Sequence, residues 1–437
     1  MTIAMTRLNL NLLWLTTLFS FLCYSEVHIH PYGRYFVQAL ETIHRRGLEE
    51  IDRQTLFDAA VRAMAQEHDP YSNFVTRKLK ERYQSELEQQ FSGIGIRVEQ
   101  DRETKDIVVV DTIVGMPHPA HDSGMRRGDR IVAIDGQPVK DEPYAAAVQR
   151  IRGPVGEPVV ITILRETESQ PRDLVVMRSQ IAVDSVLGDA RDADGHWRFR
   201  MTVDPRIAYI RLTTFGDRTA DELRKVLEKL DKQKQLQALI LDVRDNEGGY
   251  LETAVEICDL FVREGPIVST RQRNGKIRDA YMAKAPGTYT GFPMVVLVNG
   301  ESASASEILA ACIQDHHRGA IIGQRTFGKG SVQQMIPLEG NRSLLKLTMA
   351  SYWRPSGENI HRLKNAQPED TWGVRPDEGW EVKLTAEQEQ QRTSDRRYRD
   401  RIPTSDESAT PSLPQADLQL QKAVEYLQAQ LGGLATR

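Results

Sequence analysis

The chain has 437 residues, too many for one ordinary core of roughly 100–200 residues, so two or three domains are expected. Its 57 Lys and Arg stand against 61 Asp and Glu, a formal charge of -4, and nothing in that balance points to nucleic acid. The three cysteines, Cys23, Cys258 and Cys312, do not make a disulfide framework, because the first lies in a segment expected to be cleaved or embedded in membrane.

The run Leu8–Tyr24 carries no charge and follows Arg7, the order of a positive n-region and an apolar h-region. Residues 1–25 therefore read as an export signal with cleavage after Ser25, or as an uncleaved membrane anchor. The run has no polar face for a buried amphipathic helix, and bulky Leu22 before Cys23 argues against a lipoprotein site. The expected location is exported: periplasmic or otherwise extracytoplasmic.

Residues 27–90 form a helical region, with apolar spacing of three and four at Leu56, Ala59, Ala60 and Ala63. Asp69-Pro70-Tyr71-Ser72 supplies a turn, and a charged helix is expected over Lys78–Gln90. Over 91–172 short β runs such as Ile107–Val114 and Val159–Leu164, broken by Gly, Pro and Asp, describe a small, mostly β domain. Over 173–385 strands at Ala238–Val243 and Met294–Asn299 alternate with helices at Ala220–Leu230, Leu251–Val262 and Ala305–Gln314, the pattern of an α/β core. Residues 386–414, rich in Gln, Arg, Asp, Ser and Pro, read as a flexible linker. Within 415–437 an amphipathic helix, Asp417–Leu431, is expected to pack back onto the rest.

Two segments carry candidate chemistry. After the buried-strand run Val295–Asn299, the stretch Glu301-Ser302-Ala303-Ser304-Ala305-Ser306-Glu307 opens a helix, where free N–H groups and the dipole can stabilise an oxyanion. The same serines would also serve as simple helix caps. Thr326-Phe327-Gly328-Lys329-Gly330 sets one lysine between two glycines, which let backbone approach closely. A desolvated lysine there can act as a base near neutral pH; an exposed loop lysine is the alternative, and the order of a phosphate-binding loop is lacking. His316 and His317, twelve and thirteen residues after Ser304 on one helix, would lie roughly 18 Å or more away at about 1.5 Å per residue, and Asp315 about 16 Å away. No His-Glu-x-x-His occurs, and His118 with His121 lacks a third ligand, so neither a metal nor another cofactor is implied.

Taken together, Ser302–Ile308 and Thr326-Phe327-Gly328-Lys329-Gly330-Ser331-Val332-Gln333 resemble the paired signature of the C-terminal processing, or tail-specific, peptidases. The resemblance implies a dyad of Ser304 as nucleophile and Lys329 as base, 25 residues apart, with Gln333 orienting the lysine. Leu239–Gly249 is similar to that family's strand and glycine turn, which implies oxyanion donors in Gly248-Gly249 and at Ala305; Glu247 stands where proline or glycine is commoner. Asp69–Ser72, Tyr352–Gly357 and Arg375-Pro376-Asp377 match further landmarks, and the likeness runs from about residue 33 to 383. It implies an α/β protease core of the ClpP/crotonase-like type.

Within the β domain, Gly93-Ile94-Gly95-Ile96 resembles a PDZ carboxylate-binding loop, with Ser123–Ile131 and Ile151–Pro154 in support. Glycines there would free backbone N–H groups for a terminal carboxylate while a peptide adds at the sheet edge. The implied protein is a serine endopeptidase acting on unfolded or C-terminally exposed polypeptides. A non-catalytic peptide-binding protein and an acyl-ester hydrolase are the alternatives. The sequence leaves open an adaptor, membrane association and a homo-oligomer.

Overall fold

The computed structural model describes residues 14–18, 20, 31–77, 79–80, 89–101, 103–112, 116–140, 142–192, 195–233, 236–403 and 416–434. Most of the expected leader, residues 81–88 of the charged helix and 404–414 of the expected linker lie outside that range. No described helix is long and apolar enough to cross a membrane. The chain divides into two compact units, Met1–Arg77 with Gln333–Thr348, and Lys78–Val332 with Met349–Arg437.

In the first unit, helices Pro31–Arg46 and Arg53–His68 precede a short strand, Asn73–Val75, antiparallel to 344–346. Asp52 caps the second helix by accepting the Thr55 N–H at 3.0 Å, satisfying a donor that the first turn leaves unpaired. Asp69 closes the turn that follows, accepting the N–H groups of Tyr71 (2.7 Å) and Ser72 (2.8 Å). The chain re-enters this unit at Gln333, on strand Ser331–Leu338, where the Gln333 amide donates to Thr348 Oγ1 at 3.3 Å.

The second unit begins with an antiparallel sheet whose order is β1 (Arg97–Gln100), Ile107–Asp111, Arg130–Ile134, Pro158–Leu164 and Arg172–Met177. Helix α1 (Tyr144–Ile151) packs on it. Every second residue of Pro158–Leu164 is buried, so Val159, Ile161 and Ile163 join Ile107, Val109, Ile131 and Ile134 in one core. The strand Arg172–Met177 belongs to this sheet, so the domain extends past the boundary at 172 that the sequence suggested.

The α/β core is a second sheet, ordered Val186–Leu187, β2 (Ile207–Leu212), β3 (Ala238–Asp242), β4 (Met294–Val298) and β5 (Ala320–Gly323), with the last four strands parallel. β3 and β4 are buried at every position, which is why each reads as an unbroken apolar run rather than an alternation. Three helices cover one face: α2 (Thr219–Lys232), α3 (Leu251–Asp259) and α4 (Ala305–Asp315). Truncating a filler such as Leu241 to Ala would cost about 2–5 kcal/mol. The mixed α/β architecture is as expected.

The segment expected to be a linker is corrected by helix α5 (Ala386–Asp400). Its inward stripe is arginine rather than leucine. Arg392 pairs with Asp245 at 2.9 Å, Arg396 with Asp400 at 3.0 Å, and Arg399 with Asp189 at 2.8 Å. Helix α6 (Leu418–Leu434) then packs Leu420, Ala423, Val424, Leu427 and Leu431 on the other face of the core sheet. At its start Asp417 meets Arg244 at 2.7 Å, and Arg244 also grips Asp242 at 2.7 Å. Burial alone would raise Asp242, but the Arg244 charge and its hydrogen bonds hold that carboxyl at about 2. Removing one partner would leave a buried charge unpaired, at a cost of about 3–5 kcal/mol.

Candidate active site

β4 ends at Val298, and the chain turns through 299–303 to place Ser304 at the N-terminus of α4. Ser304 has φ 56° and ψ -114°, a left-handed conformation that residues with a Cβ seldom adopt. The neighbouring hydroxyls are committed to backbone. Ser302 Oγ donates to Val243 O (2.7 Å) and accepts from the Asn299 N–H (3.0 Å), and Ser306 Oγ donates to Asn246 O (2.8 Å). Ser302 and Ser306 are 0 % exposed and Ser304 is 7 % exposed, so of the three serines Ser304 is the one with an accessible edge. Burial pushes the pKa of the Tyr352 phenol well above the usual range.

The loop after β3 lies against this turn. Asn246 organises it: the side chain donates to Leu212 O (2.8 Å) and accepts the Gly248 N–H (2.9 Å), while its carbonyl accepts the Ala303 N–H (3.0 Å). Gly248, at φ 106°, has no room for a Cβ, which would fall 2.8 Å from Ser304 Cβ and 3.0 Å from Ala305 N. Its N–H already serves Asn246 Oδ1.

Lys329 is half-buried between glycines whose backbones pack closely. Gly328 O accepts the Arg362 N–H (2.8 Å) and Gly330 O the Tyr352 N–H (2.7 Å). A Cβ at Gly328 would meet Arg362 Cβ at 2.6 Å and Trp372 at 2.8 Å. Burial pushes the Lys329 ammonium below its ordinary pKa, against the opposing charges of Glu247 and Glu307.

Glu307 is the residue that the sequence reading left without a role. Fully buried in the first turn of α4, it accepts the N–H groups of Ser304 (2.9 Å) and Lys329 (2.8 Å) on Oε2. Its Oε1 accepts the Gly328 N–H (2.7 Å) and the Thr326 hydroxyl (2.5 Å). One carboxylate thus joins the serine turn to the lysine loop, and burial lifts its pKa to about 7 despite four donors that pull the other way. The Ser-x-x-Glu spacing of a capping box was the visible signal for half of this arrangement.

His316 and Asp315 stand at the far end of α4. His316 Nε2 bonds Pro266 O (2.7 Å) and Asp315 pairs with Arg354 (2.5 Å). Among the described residues no cluster of three or more His, Cys, Asp or Glu could hold a metal ion.

In the β domain, Gly95 takes φ 72° and the Ile94 carbonyl accepts the Ala120 N–H at 3.1 Å. Ile94 is buried in the domain core and Ile96 packs beside it, half-buried. Among the described residues β1 pairs on one side, with Ile107–Asp111. The Asp101 N–H donates to Asp106 O at 2.9 Å, and by strand alternation Val98, three residues back, turns its carbonyl to the other edge. There the hydroxyl of Tyr144, first residue of α1, donates to it at 2.7 Å.

Residues 206–378 match Peptidase family S41 and residues 82–164 match the PDZ domain. The carboxy-terminal-processing protease of Bartonella bacilliformis is 34% identical over 331 residues, 75% of this chain and 70% of that protein. The carboxyl-terminal-processing protease of Synechocystis is 30% identical over 330 residues, 75% of this chain and 71% of that one. A solved structure, the photosystem II D1 C-terminal processing protease, aligns with 79% of this chain and 92% of its own at 28% identity and a TM-score of 0.43. With this identity over more than two thirds of both relatives, the chain belongs to peptidase family S41, as a PDZ-bearing serine peptidase of the carboxy-terminal processing group.

Proposed function

We propose that this chain is an endopeptidase that captures polypeptide C-termini at its PDZ domain and cleaves with a Ser304/Lys329 dyad. The observation that carries the dyad is the shared carboxylate: Ser304 and Lys329 each donate a backbone N–H to Glu307 Oε2. Their backbone nitrogens therefore lie within two hydrogen-bond lengths of each other.

In the mechanism, neutral Lys329 takes the Ser304 proton as Oγ attacks the scissile carbonyl. The tetrahedral oxyanion sits at the start of α4, where the Ala305 N–H, the helix dipole and the Gly249 N–H can meet it. Lys329 returns its proton to the leaving amine, and water, deprotonated in turn by Lys329, hydrolyses the acyl-enzyme. Gln333 is assigned to orienting Lys329, on the strength of the family resemblance. In the PDZ domain a terminal carboxylate would meet the Gly93-Ile94-Gly95-Ile96 loop while the peptide adds along β1. The uncharged run after Arg7 supports export, so substrates would be met outside the cytoplasm.

The test is incubation of the chain from residue 26 onward with an unfolded polypeptide, followed by fragment analysis. Fragments that vanish with Ser304→Ala are expected. Binding without fragments would make the protein a capture module, and fragments that persist in Ser304→Ala would place the nucleophile elsewhere.

A further inference from the structure

Arg325, Arg362 and Arg375 gather around the loop 361–372, which packs against Gly328 of the lysine segment. Arg325 and Arg362 both stack on the Trp372 indole, with guanidinium carbons 3.4 and 4.5 Å from the ring centroid. Arg325 is committed to the fold: its nitrogens donate to the carbonyls of Pro368, Asp370 and Trp372, and Arg375 shares the first two. Partial burial and the like charges of Arg375 and Arg362 bring the Arg325 pKa down to about 10. Arg362 differs. Its backbone N–H donates to Gly328 O at 2.8 Å, but among the described residues its exposed guanidinium has no hydrogen-bond acceptor and no carboxylate partner. The acids of the same loop, Glu369 and Asp370, pair with none of the three arginines, and the Asp370 carboxylate accepts the Gln367 N–H at 2.8 Å. A chain of hydrogen bonds ties Arg362 to the nucleophile turn: Glu307 accepts the N–H groups of Ser304 and Gly328, and Gly328 O accepts that of Arg362. Phe327, the residue before Gly328, is 42 % exposed and donates its N–H to Ser302 O at 3.0 Å. An exposed aromatic ring and an unpaired guanidinium, the side chains that most often anchor a bound chain, thus border Ser304 and Lys329.

We infer, on the reading of Ser304 and Lys329 as the dyad, that Arg362 is a specificity residue of the substrate cleft and takes an acidic side chain of the polypeptide a few positions from the scissile bond. Trp372 holds the long side chain on its ring, so less freedom is lost when a carboxylate arrives. The planar guanidinium offers that carboxylate two parallel N–H groups. Gln at the same substrate position keeps the shape and loses the charge, and Lys there meets a like charge.

The experiment uses peptides of one length and one C-terminal sequence, so that any capture at the PDZ domain is common to all. A single Glu, Gln or Lys is moved stepwise along an otherwise uncharged chain. Cleavage sites and kcat/KM are measured with the full chain, and dissociation constants with its Ser304→Ala variant, which reads recognition without turnover. Expected is a register at which Glu is favoured over Gln about two- to fivefold, with Lys disfavoured, in both measurements. Added salt should shrink that ratio. Arg362→Gln should erase the ratio, Arg362→Lys should retain part of it, and Arg362→Glu should transfer the preference to Lys, each variant being compared with its own Gln peptide. Cleavage that is indifferent to Glu at every register keeps the dyad and overturns the subsite, as does a Glu preference that survives Arg362→Gln. Binding that favours Glu through Arg362 with no peptide cleaved upholds the acidic subsite and overturns the dyad.

Discussion

Ser304 is held from three residues ahead: its N–H donates to Glu307 Oε2 at 2.9 Å, and the same oxygen receives the Lys329 N–H at 2.8 Å. An amide in place of that carboxylate offers one acceptor oxygen and an NH2 group that can only donate, so two of the four donors would lose their partner. Glu307→Gln should therefore lower kcat by on the order of 10²-fold through misplacement of the reacting groups, with KM changed much less. A kinetic comparison on one polypeptide substrate decides it; an unchanged kcat would remove Glu307 from the positioning of the dyad.

The same carboxyl predicts a pH dependence of stability. Burial lifts it to about 7, above the 4.5 of an exposed glutamic acid. The folded state keeps the proton where the unfolded chain has lost it. Its contribution is fully present below about 4.5 and is lost as pH rises through 7. Urea unfolding should show wild type gaining over Glu307→Gln by roughly 3 kcal/mol more at pH 4.5 than at pH 8. An equal difference at both pH values would mean the carboxyl titrates normally.

Ser304→Ala and Lys329→Ala should each remove cleavage by several orders of magnitude, and Lys329→Arg should be as inactive, since a guanidinium does not give up its proton in this range. Only the neutral amine accepts the serine proton, so the rate should rise with pH through a pKa below the ordinary lysine value. Glu247 acts against that depression. Glu247→Gln should therefore move the ascending limb of kcat/KM to lower pH. A limb that stays in place or moves to higher pH would contradict the proximity of Glu247 to the base.

Ser302 and Ser306 carry a different expectation. Their hydroxyls join the nucleophile turn to Val243 and Asn246, and neither faces solvent. Ser302→Ala and Ser306→Ala should each cost about 1–3 kcal/mol of stability while leaving measurable cleavage below the melting transition. Loss of cleavage in a fully folded Ser302→Ala protein would reopen which serine is the nucleophile.

How much of this was legible depends on where the interaction partners lie. β3 and β4 announce themselves as unbroken apolar runs because both faces are covered. The small residues around Ser304 likewise mark a turn. Helix α5 was hidden because composition treats arginine as solvated, whereas Arg392 and Arg399 here are buried against Asp245 and Asp189. Glu307 was half visible. Its bond to Ser304 follows from local spacing, but its other donors come from 326–329, a contact set by the packing of β5 and α4 that no local pattern encodes. Which N–H of Gly248-Gly249 would serve the anion was left open by the sequence, because the partner that takes the Gly248 N–H, Asn246 Oδ1, is a side-chain choice two residues away.

The PDZ domain yields the last prediction, which concerns how a substrate end would be read. A peptide adding along β1 needs the outward carbonyl of Val98 as an acceptor, and the Tyr144 hydroxyl is already bonded to it at 2.7 Å. Tyr144→Phe keeps the ring and removes that competitor, so KM for peptides with a free terminal Ala or Val should fall several-fold, the scale of one net hydrogen bond, with kcat little changed. Amidating the terminus removes the charge that the Gly93–Ile96 loop would hold, and a terminal Asp sets an ion beside apolar Ile96. Both changes should raise KM in wild type and in Tyr144→Phe alike. Matched peptides ending in Ala, Val, an amide or Asp, assayed with both proteins, separate the effects. Equal rates for all four would rule out terminal recognition by this loop, and a higher KM in Tyr144→Phe would make the hydroxyl a contact for the peptide rather than its competitor.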